Sequence, residues 1–420
     1  MSVAVCEVVS TVIIGVAIRD LFPTHTPTQS ACAESFDLRH RKDDAHGTRI
    51  GWHIAKPITS GMRMEATPAA NARSARSAGL VYVSDRGPGI LRRRRGRGFE
   101  YVDHRGRVIR RRTELDRIAR LAIPPAWKDV WICRNPRGHL QACGRDARGR
   151  KQYRYHAGWR TFRDEVKYDQ MLAFATALPA LRRQIARDLS ASGLPRRTVI
   201  AAVVQLLEKT LIRVGNEEYA RDNNSYGLTT MRNRHVTVSK STLRFRFKGK
   251  GGKSHDIAFD DSRLARIVRR CQDLPGHELF GYIDEDGTAQ DIGSADVNEY
   301  LRDVTGQDFT AKSFRTWAAT VLAACALQEF PERQSNVQTK RNIVQAVEAV
   351  AGVLGNTPAI CRKSYIHPGI IDAYINGSTL RTRRTRRLRV VPAHSDFRRM
   401  ETAVLAWLQR LQRGAQRRTA

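Results

Sequence analysis

Leu243, Phe245 and Phe247 alternate with Arg244, Arg246 and Lys248, and His255, Ile257 and Phe259 resume the alternation beyond Gly249-Lys250-Gly251-Gly252. A period of two on both sides of a glycine-rich break predicts a β-hairpin with a flexible tip. This hairpin interrupts a helical region. Val199, Val203, Leu206, Thr210, Leu211 and Val214 fall at helical spacing, and similar stripes recur towards residue 366. The second half of the chain is therefore read as mainly helical, carrying one hairpin.

Upstream the pattern differs. Order is expected to begin at Leu80-Val81-Tyr82-Val83, followed by a turn-rich stretch from Arg86 to Gly98 and strand-like pieces at Phe99–Val102 and Arg107–Ile109. This gives an α+β chain with a small, β-rich, basic N-terminal domain over 79–160 and a larger, mainly helical domain over 161–375. Residues 1–78 are polar and aperiodic after the apolar start Val3–Ile18, and they read as a disordered or non-native extension, with a second start available at Met62 or Met64. Residues 376–420 read as a basic extension, in which Arg381–Arg387 precede an amphipathic stretch from Met400 to Leu411.

With 73 Lys and Arg against 41 Asp and Glu, the net charge of +32 exceeds what solubility needs and points to a polyanionic partner. The start Val3–Ile18 lacks a basic leader and is too short to span a bilayer, so neither a signal peptide nor a membrane partner is expected. The seven cysteines show neither a CxxC pair nor zinc spacing, which suggests reduced intracellular thiols and no metal.

In Thr310–Thr320, Phe314, Trp317, Ala318, Val321, Leu322 and Cys325 form one apolar stripe, with Lys312 and Arg315 in the first turns beside it. A helix start with nearby cations suits a phosphate. Alone, Arg315 would read as a surface arginine on a core helix. Arg213, in Leu211–Asn216, also lies next to a helix end, and two arginines can brace the two non-bridging oxygens of one phosphate. Lys250 sits where a mobile tip could carry an ammonium to a leaving oxygen as general acid. The loop lacks the P-loop pattern, so no nucleotide is expected. Further on, Gly355 closes one helix, Thr357 and Pro358 open the next, Asn356 lies between with an amide able to donate, and Tyr365 follows about two turns into the second helix.

The ordered set Arg213, Lys250, Lys312-x-x-Arg315 and Gly355–Ile360 followed by Tyr365 resembles the catalytic signature of the type IB DNA topoisomerases, the compact bacterial and poxvirus kind. Gly149-Arg150-Lys151-Gln152-Tyr153-Arg154-Tyr155 is similar to the family's DNA-reading segment, and Ile123-Pro124-Pro125-Ala126-Trp127 to the linker upstream. The resemblance runs from about residue 79 to 374. It implies a β-rich cap and a catalytic domain clamping duplex DNA. Tyr365 would be the nucleophile, Arg213 and Arg315 the braces, Asn356 a third donor and Lys250 the general acid. Lys312 would be a secondary contact. Gln152, Tyr153 and Tyr155 would touch bases, while Arg150 and Lys151 hold phosphates. One strand would be cut through a 3′-phosphotyrosyl ester and resealed by the free 5′ hydroxyl, without ATP, metal or other cofactor, by a monomer acting in the cytoplasm. Several members place His where this chain has Asn356, which donates but cannot titrate. Two other readings remain: a tyrosine recombinase, which usually shows His-x-x-Arg in place of Lys312-x-x-Arg315, and a non-catalytic basic DNA-binding protein.

Overall fold

The structure, a computed structural model, describes residues 68–330, 335–378, 380 and 394–419. The apolar start, both candidate start methionines and the Arg381–Arg387 run lie outside the described residues. The fold is the α+β arrangement expected from the sequence: a β-rich N-terminal part and a larger, mainly helical part with a hairpin. The described residues divide into two compact units, one within Ser60–Gln170 and one within Met171–Ala420.

The first unit opens with helix α1 (Pro68–Ser77), inside the stretch read as an extension. Its body is a five-stranded antiparallel sheet of β1 (Ile90–Arg95), β2 (Gly98–Val102), β3 (Lys128–Ile132), β4 (Leu140–Arg145) and β5 (Lys151–Tyr155), ordered β2-β1-β3-β4-β5. Strand β1 corrects the sequence reading, which took Arg86–Gly98 as turns. Four consecutive arginines masked it. Ile90 anchors the strand in a core with Ile118, Val130, Ile132 and Ala142. Arg92 satisfies the carbonyls of Pro124 and Trp127 at 3.1 and 2.6 Å, while Arg95 pairs with Glu100 across the hairpin. The expected strand at Arg107–Ile109 shrinks to a single bridge, Val108 with Val102, and near the start of the ordered region Val81 bridges Gly138. Helix α2 (Arg112–Arg120) contributes Ile118 to the sheet's core.

Helix α3 (Ala157–Asp188) begins in the first unit and ends in the second. There α4 (Arg196–Thr210) is buried from Thr198 to Val204, an all-round apolar helix of the kind that forms a domain's centre. After α5 (Glu217–Asn223) come β6 (Val236–Ser239), β7 (Thr242–Lys248) and β8 (Ser254–Asp260), an antiparallel sheet in that order. Strands β7 and β8 are the predicted hairpin, paired from Thr242 with Asp260 to Lys248 with Ser254. Leu243, Phe245 and Phe259 are fully buried, so the alternating apolar residues fix the register. Beyond α6 (Ser262–Gln272), the small ribbon β9 (Gly281–Ile283) and β10 (Ala289–Asp291), and α7 (Ser294–Thr305), the chain enters α8 (Ala311–Gln328), buried along most of its length. Helices α9 (Asn336–Leu354), α10 (Pro358–Ser364) and α11 (Pro368–Ile375) follow, and α12 (His394–Thr419) takes in the amphipathic stretch read from the sequence.

Candidate active site

Helix α8 starts at Thr310, whose backbone N–H donates to Ser313 Oγ at 3.3 Å, and its apolar stripe is buried from Phe314 to Leu322. Arg315 is carried inward with that stripe and is only 5% exposed, so it is not a surface arginine. Its guanidinium donates to the carbonyls of Leu211 and of Leu354, the latter at 2.7 Å. Both acceptors lie at helix C-termini: Leu211 caps α4 and Leu354 is the last residue of α9. Such ends expose unpaired carbonyls and the negative pole of the helix, which is how a cation can be held in the core without a carboxylate. Burial, together with Arg213 nearby, lowers the Arg315 pKa to about 10, still far above neutrality.

Arg213 lies on an extended segment after α4. Leu228 N donates to Arg213 O at 2.9 Å, and Thr229 N and Oγ1 both donate to Val214 O. The approach is so close that a Cβ on Gly227 would stand 2.6 Å from the Arg213 carbonyl oxygen, which requires glycine there. Arg213 reaches the Gly355 carbonyl at 3.5 Å and donates a short hydrogen bond to Asn356 Oδ1. Desolvation lowers its pKa, partly offset by Tyr365.

The Gly355–Thr357 turn is built as the sequence suggests. Gly355 (φ 61°) closes α9, Thr357 accepts from Ile360 N at 3.4 Å, Pro358 occupies the first turn of α10, and the two helices bend by 95°. Arginine can only donate, so Asn356 must present its oxygen to Arg213, and its NH2 group points elsewhere. That nitrogen, Asn356 Nδ2, and Arg315 Nε are buried without a partner among the described residues. Buried donors in folded proteins are almost always paired. Two in one cluster, with Arg213 beside them, would suit an anion.

Tyr365 borders this cluster, its ring centroid 5.6 Å from the Arg315 guanidinium carbon. It is not inside a helix as expected but caps α10, with its N–H on Cys361 O at 3.0 Å. The structure thus brings Arg213, Arg315, Asn356 and Tyr365 together. Lys250 makes no hydrogen bond or ion pair with them among the described residues, and its ammonium lies 5.5 Å from the Tyr219 ring centroid. The hairpin side chains at the cluster are Lys253, whose Nζ donates to Asn356 O at 3.3 Å, and His255, stacked on Phe247 with centroids 4.8 Å apart. Burial and the positive charges of Arg213, Arg315 and Lys253 lower the His255 pKa, keeping the ring neutral at pH 7. Lys312 is exposed in the first turn of α8.

In the first unit, β5 separates the five proposed DNA contacts. Lys151, Tyr153 and Tyr155 alternate onto one exposed face, where the tyrosine rings stack at 5.9 Å and are 45% and 39% exposed. Gln152 faces the other way and donates to Asp146 Oδ2 at 2.9 Å. Asp146 also pairs with Arg150 at 2.8 Å, and Lys151 pairs with Asp85.

Sequence reasoning missed Lys253, His255, Thr320 and Glu401. Thr320 Oγ1 accepts from His367 N at 3.1 Å and lies 3.2 Å from the Tyr365 carbonyl oxygen, so α8 also fixes the backbone of the tyrosine. Glu401 on α12 is buried and accepts from Trp317 Nε1 at 2.8 Å and Arg182 at 2.7 Å, with Arg182 also on Glu208 at 2.6 Å. The S-H that follows Lys253 and the periodicity of Met400–Leu411 were visible signals. A long-range carboxylate partner for a tryptophan leaves none.

Two family models match the chain: the catalytic core of eukaryotic DNA topoisomerase I over residues 156–388, and the N-terminal domain of bacterial DNA topoisomerase IB over residues 98–146. The chain is 32% identical over 299 residues to a DNA topoisomerase 1B of Acanthamoeba polyphaga mimivirus, covering 69% of this chain and 88% of the relative. It is 22% identical to a DNA topoisomerase I of Monkeypox virus and 21% identical to a DNA topoisomerase 1B of Vaccinia virus (strain Copenhagen), in each case over 54% of this chain and 70% of the relative.

Proposed function

Because the chain belongs to the type IB DNA topoisomerases, we propose that it relaxes supercoiled duplex DNA by cutting and resealing one strand with Tyr365. The observation that supports this most is the pair of unpartnered buried donors, Arg315 Nε and Asn356 Nδ2, gathered with Arg213 beside the tyrosine.

A phosphodiester seated there meets donors fixed before it arrives. Tyr365 Oη gives up its proton to water, attacks phosphorus and forms the P–O(Tyr) bond while the bond from phosphorus to the 5′ oxygen breaks. Charge gathers on the equatorial oxygens, where Arg213, Arg315 and Asn356 donate. One preorganised donor of this kind stabilises such a transition state by about 3 kcal/mol. A tyrosine hydroxyl, with a pKa of about 10, needs such help to react near neutrality. The departing 5′ oxygen requires a proton, and Lys250 supplies it once the hairpin tip has moved from Tyr219. The 3′-phosphotyrosyl ester conserves the energy of the cleaved bond, so the free 5′ hydroxyl reseals the strand by the reverse step and ATP has nothing to drive. Lys312 adds a phosphate contact at the start of α8.

The unit within Ser60–Gln170 would bind DNA through Lys151, Tyr153 and Tyr155, while Arg150 and Gln152 act through Asp146. The unit within Met171–Ala420 would be catalytic. One tyrosine per cut needs one chain, so relaxation rate should rise linearly with protein concentration. In a bacterial cell the enzyme would act in the cytoplasm, where the nucleoid lies.

The test is relaxation of negatively supercoiled plasmid in EDTA without ATP, beside Tyr365→Phe, with denaturation to trap covalent DNA. Relaxation and 3′ attachment by wild type alone are expected. Relaxation by the phenylalanine variant, or attachment through a 5′ phosphate, would refute the assignment.

A further inference from the structure

We propose that Lys253 is a positioning residue for strand cleavage, acting through Asn356 and distinct from the proton donor assigned to Lys250; this rests on the topoisomerase reading above. Two lysines occupy the hairpin tip, and they face different neighbours. Lys250 lies over Tyr219, whereas Lys253 holds the main-chain carbonyl of Asn356 at 3.3 Å. The carbonyl belongs to the residue whose side-chain NH2 is one of the buried, unpartnered donors.

The surroundings show why this contact matters. The 355–357 turn joins α9 to α10, which diverge by 95°, and carries Asn356 at the bend. Arg213 restrains the turn from one side through the Gly355 carbonyl and Asn356 Oδ1. The hairpin restrains it from the other side. His255 inserts its ring between two glycines: a Cβ on Gly355 would stand 3.0 Å from His255 Cε1, and one on Gly249 would stand 2.6 Å from His255 Nε2. Phe247 stacks beneath that ring at an interplanar angle of 11°. The neutral imidazole is therefore a spacer that sets the separation of hairpin and turn, and the Lys253 ammonium is the tether that closes it. Together they fix the backbone from which the Asn356 side chain projects, while Arg213 on Oδ1 orients its amide. Displacing a positioned catalytic group by about 1 Å can cost roughly a hundredfold in rate. A half-effective tether should cost less.

The measurement is a double-mutant cycle on single-turnover cleavage of a suicide duplex, with DNA affinity measured alongside. Lys253→Met keeps the aliphatic stem and removes the donor. It should slow cleavage roughly tenfold with affinity changed less than about twofold, and Lys253→Arg should recover most of the rate. In the Asn356→Ala background, where the group being positioned is gone, Lys253→Met should cost less than about twofold. An equal cost in both backgrounds, a loss of affinity matching the loss of rate, or no effect of Lys253→Met would each overturn the proposal. Wild type and Tyr365→Phe, run on plasmid in the same series, separate the two levels. If wild type relaxes DNA and the cycle is additive, only the role of Lys253 falls; if wild type does not relax DNA, the topoisomerase reading falls and this inference with it.

Discussion

Asn356→Asp should make the protein more stable and nearly inactive at once. The variant keeps an oxygen for Arg213 but replaces the buried, unpartnered NH2 with a second oxygen of a charged carboxylate. In the free protein that charge enters a cluster of Arg213, Arg315 and Lys253, and no carboxylate is among the groups that shift the pKa of the two arginines. An ion pair about 4 Å apart at an effective dielectric of 20 is worth about 4 kcal/mol before desolvation. Half-buried Arg213 and exposed Lys253 are screened, and the new carboxylate must itself be desolvated, so about 1 kcal/mol should survive. For a unit of this size that raises Tm by about 2–4 °C. On DNA the same charge repels the phosphate and removes a donor. Loss of the donor alone, as in Asn356→Ala, should slow cleavage about 100- to 1000-fold, and Asn356→Asp should be slower still. Asn356→His, which restores a donor, should lie between wild type and alanine. Scanning calorimetry and single-turnover cleavage on the four proteins decide it. An aspartate variant that cleaves as fast as the alanine variant, or that melts below wild type, would refute the picture of a cationic site awaiting an anion.

Other substitutions probe the surroundings. Glu401→Ala strands Trp317 Nε1 and leaves Arg182 with Glu208 alone, so it should cost about 3–5 kcal/mol and lower Tm by roughly 10 °C, read by thermal melting. Lys250→Ala should slow cleavage of an ordinary phosphodiester strongly but hardly affect a substrate whose 5′ bridging atom is sulfur, which leaves without a proton; equal slowing on both would remove Lys250 as general acid. In filter-binding titrations, Tyr153→Ala and Tyr155→Ala should weaken DNA binding several-fold each, whereas Gln152→Ala, on the far face of β5, should act only through its bond to Asp146.

Much of this site was legible because its residues sit at points where local sequence is decisive. Gly355, Thr357 and Pro358 are end-of-helix and start-of-helix signals, so the turn that presents Asn356 could be read from spacing alone. The hairpin was likewise fixed by alternation around glycine. What could not be read was anything decided by a distant partner. Strand β1 looks like a run of arginines until Pro124 and Trp127 offer carbonyls to Arg92. Lys250 and Lys253 are indistinguishable in a glycine-rich loop, and only the position of Asn356 separates them. The motif Gly149–Tyr155 does not itself display the period of a strand, which places Gln152 on the opposite face of β5 from the two tyrosines.

Helix α8 carries Arg315 and, little more than one turn later, Thr320, which holds the backbone on both sides of Ile366. In the proposed mechanism attack would depend on the gap between brace and nucleophile, and that gap is set from two points on one short rod, roughly 7.5 Å apart along its axis. A vibration or tilt of the rod displaces both points together and largely cancels from the difference, as a shared disturbance cancels in a balanced bridge circuit. Strain transmitted by a turning duplex would then move the reacting centre without detuning it.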